Sequence, residues 1–130
     1  IELNGELVRD IDNLVVTAGK GFVASRMIGT SSGVMTHMAV GTGTTDPAAG
    51  DTALETQVGS RKAFTTSASV SGAVVTYVCA FSAGEGTGAL TEAGIFNASS
   101  SGTMLCRTEF NVVNKGASDS MTITWTVTVS

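Results

Sequence analysis

The last ten residues, Met121–Ser130, set apolar side chains on every odd position and hydroxyl side chains on every even one. A period of two is what a strand with one buried face requires, because successive Cβ atoms point to opposite sides of a sheet. Thr suits the other side, since its branched Cβ fits the pleat while its hydroxyl faces water or a partner. A slip of one residue would expose Met121, Ile123, Trp125, Val127 and Val129 together, so the pattern also dictates the register. Ala73–Phe81 alternates in the same way, with Ala73, Val75, Tyr77, Cys79 and Phe81 on one side and Val74, Thr76, Val78 and Ala80 on the other. The second set is apolar enough to predict a central strand covered on both faces. In Thr103–Phe110 the set Met104, Cys106, Thr108 and Phe110 alternates with Leu105, Arg107 and Glu109. Shorter strands are predicted at Thr36–Val40, Ala63–Val70 and Leu90–Asn97.

Gly/Ser/Asn-rich connectors at Ser71–Gly72, Gly84–Gly88, Asn97–Gly102 and Asn114–Ser120 separate these runs. Strands in succession joined by short turns predict an all-β fold, mainly antiparallel, arranged as a sandwich or barrel-like sheet with one or two short helices in the N-terminal third. The first helix is expected where Val15, Ala18, Gly19, Phe22, Val23, Arg26 and Met27 recur at helical spacing, with Thr17 as its N-cap and Gly29 as its stop. A second short helix or turn is expected at Thr52–Val58. Residues 1–12 read as an N-terminal arm, in which Ile1-Glu2-Leu3 can add as an edge strand, and 13–130 as a single β domain.

The chain has 130 residues, enough for one ordinary core. Only 14% of them are charged, so much of the surface must be Thr, Ser, Gly and Ala, which suits a module packed against other subunits. The net charge of −4 and the absence of a basic stripe argue against nucleic acid as a partner. No apolar run approaches a membrane span, and the N-terminus lacks the basic start of a signal peptide, so no membrane partner is expected. Cys79 and Cys106 read as buried free thiols, because a domain of this size needs no staple.

Catalysis finds little support. His37 is the only histidine, so any nucleophile–base arrangement would rest on it, and it sits in an apolar strand where a structural role is expected. One His and two separated Cys cannot make a zinc site of usual composition. Gly41-Thr42-Gly43-Thr44-Thr45 lacks the spacing of a phosphate loop, and Asp46, Asp51 and Glu55 match no calcium loop, so no cofactor or metal is expected. Glu92 stands out: extended, it shares a face with Leu90, Gly94 and Phe96, which draws its carboxylate inward, unless the strand twists there and leaves it solvated. A buried carboxylate calls for a cation, and Arg61 and Arg107 are the candidates. Trp125 and Tyr77 fall on inward faces, which disfavours a carbohydrate-binding sandwich with exposed aromatics.

The ordered segments Thr36–Gly41, Thr52–Glu55, Arg61 and Thr91–Phe96, followed by an alternating final strand, resemble the N-terminal domain of phage tail-collar fibre proteins and small stand-alone virion proteins of tailed phages. The resemblance spans about Thr17 to Val129. It implies a non-enzymatic attachment module, in which His37–Gly41 and Glu92–Phe96 are fold determinants. Position 91 is Thr where the collar proteins often have Arg, and no fibre shaft follows the final strand before Ser130. The expected function is a virion structural protein of the tail, baseplate or fibre-attachment region, assembled in the bacterial host cytoplasm. Its expected partners are other virion proteins, within a homo-oligomer or symmetric array. The alternative is a capsid decoration protein that binds the major capsid protein through its arm.

Overall fold

A computed structural model describes residues 1–29 and 33–129. Ten strands and one helix follow in the order β1 (Glu2–Leu3), β2 (Glu6–Leu7), β3 (Leu14–Val15), α1 (Thr17–Met27), β4 (His37–Gly41), β5 (Gln57–Ala63), β6 (Thr66–Ser71), β7 (Val74–Phe81), β8 (Gly88–Phe96), β9 (Met104–Lys115) and β10 (Met121–Thr128). They form two antiparallel five-stranded sheets, sheet A in the order β2-β1-β10-β7-β6 and sheet B in the order β3-β9-β8-β4-β5.

The alternation in β7 and β10 builds the core between the sheets. Met121, Ile123 and Trp125 of β10 stand opposite Phe81, Cys79 and Tyr77 of β7, and all six are buried among Met38, Val40, Leu90, Ile95, Cys106 and Phe110 of sheet B. Both cysteines are free and buried. Burial pushes the Cys79 thiol up to about 12, and that of Cys106 further, so both remain protonated. Ser130, the last position of the alternating run, lies outside the described residues.

A third layer covers the outer face of sheet B. Helix α1 lies on β9 through Gly19, where any Cβ would meet the Leu105 carbonyl, so this glycine sets the distance at which the helix approaches. Val16, Ala39, Leu54, Phe96 and Met104 form a second, smaller core beneath it. The helix ends at Ile28 with Gly29 in the left-handed region, φ +71°, as expected. Its N-cap is Val16, with no side-chain cap, and Thr17 is the first helical residue instead. Backbone contacts replace the missing hydroxyl cap: the Val16 amide donates to Leu105 O and the Thr17 amide to Ala49 O.

Other expectations change. Thr52–Val58 forms no helix; it is a run of bends leading into β5, because its amides bond outward to a carboxylate instead of along the chain. Ala63–Val70 is not one strand. The chain crosses between sheets there, the Phe64 amide donating to Thr36 O of sheet B's side and the Thr65 amide to Val78 O of sheet A. Phe64 packs on Tyr77 at that crossing, with ring centroids 5.1 Å apart. β9 runs on past Phe110 through a bulge, Leu90 pairing with Val113 and Glu92 with Glu109.

Residues 1–12 fold onto the domain. Glu2 and Leu3 pair with Thr122 and Met121 as an edge strand, and β2 folds back on β1. Arg9 then donates through Nε to Asn111 O at 3.0 Å and through Nη2 to Val112 O at 2.7 Å, which are the carbonyls of the β9 bulge. Thr108 Oγ1 donates to Asp12 O at 2.7 Å before Leu14 and Val15 join β9. The segment therefore straps one open side of the sandwich, tied to both sheets.

Candidate functional site

Sheet B's outer face holds the buried charges around which the molecule's irregular segment is organised. In β8, Leu90 belongs to the core between the sheets, whereas Glu92, Gly94 and Phe96 face the other way, because the register shifts between Leu90 and Glu92. Glu92 is therefore buried at 0% exposure, not against sheet A but under the loop from Thr42 to Thr56. Arg107 stands beside it on β9, 2% exposed, with Nε 3.0 Å from Glu92 Oε1.

The carboxylate is saturated. Oε1 also accepts from the Glu55 amide at 2.9 Å, and Oε2 from the amides of Gly43 at 2.8 Å and Thr56 at 2.7 Å. An ionised carboxylate offers about four acceptor positions, and here four donors fill them. The desolvation cost of each ion, several kcal/mol, is offset only when a buried pair has such complete partners. Arg107 is likewise occupied, donating through Nη1 to Asp51 Oδ2 at 3.2 Å and through Nη2 to Thr45 O at 2.9 Å.

The surrounding sequence fits this arrangement. The Gly41–Thr45 stretch does offer its backbone to anions, but they are the protein's own carboxylates, Glu92 for the Gly43 amide and Glu55 for the amides of Thr44 and Thr45. A Cβ at Gly41 would meet Thr56 O and Glu92 Oε2, and one at Gly43 would meet Glu92 Oε2 and Glu55 Cβ, so both glycines are dictated by close approach. Thr91 Oγ1 donates to Gly43 O at 2.6 Å from the neighbouring position on β8. Glu55 does not bind Glu92's cation. It accepts from the Thr44 amide at 2.9 Å and from the Thr45 hydroxyl, and those bonds hold its carboxyl below the usual carboxylate range. Asp51 Oδ2 also accepts from the Ala48 amide at 2.9 Å, which closes the turn after Pro47. Asp51 and Glu55 thus serve Arg107 and the loop backbone. No group of three or more His, Cys, Asp or Glu that could hold a metal occurs among the described residues.

Of the two cations considered for Glu92, Arg107 is the partner and Arg61 is not. Arg61 lies on β5 with its guanidinium 3.7 Å from the Phe96 ring centroid, and Nη1 donates to Ala98 O and Ser101 O at 3.0 and 2.7 Å. Burial lowers its pKa. It therefore ties the β8–β9 turn to β5. His37, half-buried at the start of β4, stands opposite Phe96 on one side and Ala63 on the other, with its Nδ1 2.7 Å from Thr36 Oγ1. Trp125, 4% exposed, lies between the sheets. Its Nε1 has no hydrogen-bond partner of ordinary geometry among the described residues. It stands near the Cys106 thiol, whose upward shift by burial the indole N–H opposes only in part.

Some contributors escaped the sequence-based expectation. Lys115 is 1% exposed and donates to Ser82 O at 3.0 Å, and only its place two residues beyond the apolar Val113 hinted at an inward side chain. The Lys62–Glu85 pair, 2.7 Å, joins β5 to the turn before β8, and its bonds hold Glu85 below the usual carboxylate range.

No family model, curated protein or solved structure matches the chain. Among the described residues no helix is long and apolar enough to cross a membrane.

Proposed function

We propose that this protein is a non-enzymatic structural module of a tailed-phage virion, acting in the tail, baseplate or fibre-attachment region and docking to neighbouring virion proteins through its surface. The observation that carries the reading is the convergence of the segments on which the resemblance rests. His37–Gly41 and Glu92–Phe96 pair with each other along their whole length, His37 opposite Phe96 and Gly41 opposite Glu92. Thr52–Glu55 ends on the Glu92 carboxylate, and Arg61 covers Phe96. Segments scattered through 60 residues thus serve one structural knot, which fits fold determinants of an attachment module and leaves Glu92 no free acceptor for a substrate.

The outer face of sheet A supports association as the mechanism. There Thr122, Thr124, Thr126 and Thr128 of β10 lie beside Ala80, Val78, Thr76 and Val74 of β7, eight positions without a charge. Solvated sheet faces ordinarily mix in charged residues, whereas interface cores are depleted of them. The carbohydrate-binding alternative has less support, since Trp125 and Tyr77 are both buried.

The test is to locate the protein in purified particles by labelled-antibody electron microscopy together with quantitative mass spectrometry. The tail reading expects a few to a few dozen copies on the tail, as a symmetric ring or collar requires. Copies on the order of hundreds on the head would establish the decoration alternative instead, and absence from particles would sink both.

A further inference from the structure

Four strands end the two sheets, and three of them are blunted against pairing. β2 and β3 are two residues each, and β5 carries Arg61 and Lys62 with Gly59 at φ +66° in its middle. β6 is different: its six residues, Thr66–Ser71, are all exposed and include neither charge nor proline. A bulge between Thr66 and Ser69 takes its first half out of flat pairing and leaves Ser69-Val70-Ser71 straight. Ser71 and Val74 flank the two-residue turn to β7, with Gly72 at φ +59°. Bonded and unbonded pairs alternate along an antiparallel ladder, so the N–H and C=O of Val70 point away from β7, toward the free edge.

The Val70 side chain adds a second observation. It pairs with Val75, which packs against the core between the sheets, yet it is 71% exposed. With Val34, itself 57% exposed, and Val75 and Tyr77, it borders an apolar mouth of about 310 Å³.

We propose that β6 pairs antiparallel with β6 of a second copy about a two-fold axis through Val70, joining two five-stranded sheets into one of ten. Ser69-Val70-Ser71 is palindromic, so this axis sets Ser69 of each copy against Ser71 of the other on the outer face. On the inner side it sets Val70 against Val70 and closes the two apolar mouths on each other. Self-complementarity selects a second copy as the occupant. The palindromic edge matches itself about the two-fold, and since β6 carries no charge, two copies of a chain of net charge −4 meet there without setting like charges opposite each other. The contact is smaller than the roughly 800 Å² per partner of a stable dimer, so the association is weak and depends on concentration. It stands on the geometry of the edge and holds independently of the virion reading.

Sedimentation equilibrium of the full chain from roughly 10 µM to 1 mM tests it, a range that brackets weak association. The expected result is a reversible monomer–dimer equilibrium that Val70→Lys weakens at least tenfold without lowering Tm, since position 70 is exposed. Under oxidising conditions Val70→Cys should give a covalent dimer, and Thr126→Cys on the exposed outer face should not. A monomer throughout, or a Val70→Lys variant that dimerises like the parent, overturns the proposal. Hydrogen-exchange protection of β6 that stays the same between the dilute and the concentrated end of that range also overturns it.

Discussion

The outer faces of the two sheets have opposite characters. Sheet B's is sealed by α1 and by a loop whose amides converge on one buried carboxylate. Sheet A's is a regular ladder of Thr, Val and Ala, with Thr124, Thr126 and Thr128 exposed along β10. The irregular region is thus the more tightly determined one. Its amides have no ladder to join, and burying them unpaired would cost about 1–3 kcal/mol each, so Glu92 takes the place of a neighbouring strand. The regular face satisfies its own backbone, and its side chains remain available to a partner.

Substitutions at Glu92 test that contrast most strongly. Glu92→Gln keeps the size but sets an amide NH2 against neighbours that are all donors and leaves Arg107 with Asp51 as its carboxylate partner beside the Thr45 carbonyl. The expected loss is about 3–5 kcal/mol, read as a lower urea midpoint, whereas Thr124→Ala on the open face should change stability by no more than about 0.5 kcal/mol. Equal losses would break the comparison. Gly43→Ala comes next, with an expected cost of about 1–3 kcal/mol, because its Cβ meets the Glu92 carboxylate and Glu55 Cβ. Gly50→Ala, in open space in the same loop, is the control and should be near neutral.

Arg9→Ala sharpens the comparison by loosening the strap that touches both sheets. It frees the carbonyls of Asn111 and Val112 at the β9 bulge, and since water can reach them the expected loss is about 1 kcal/mol by thermal melting. The smallest effect concerns pH. Glu55 titrates below its ordinary value of 4.5 because Thr45 and Thr44 donate to its ionised form. A depressed folded pKa adds stability above the unfolded value and loses it as pH falls through the folded one. Glu55→Gln should therefore make the decline in stability below about pH 4.5 shallower and leave the neutral-pH Tm nearly unchanged, Glu55 being solvent-exposed. An unchanged acid limb would show that the loop's exposed rim contributes nothing.

Much of the sandwich was legible along the chain. Where one face of a strand is buried throughout, alternation survives, as in β7 and β10, and it places Trp125, Cys79 and Phe81 inside. Where a bulge intervenes the period breaks, and the expected strand at Thr103–Phe110 stopped at the point where β9 bulges. β5 was missed because Gln57–Ala63 is largely exposed and polar, with no alternation to detect. The crossing at Phe64–Thr65 was hidden for a different reason: β propensity continues through it while the hydrogen bonds change sheet.

At the candidate site, the sequence left Glu92 two outcomes, burial beside a cation or solvation through a twist of the strand, and the structure shows the first. Which arginine answers, and from which direction, was decided by tertiary structure. The register shift at Leu90–Glu92 turns the carboxylate away from sheet A and toward the loop, and pairing across β8 and β9 brings Arg107 within reach while Arg61 goes to Phe96. Periodicity specifies which side of a strand is buried. It carries no information about what lies on the other side, and the roles of Gly41, Gly43, Asp51 and Arg9 arise only where distant segments meet.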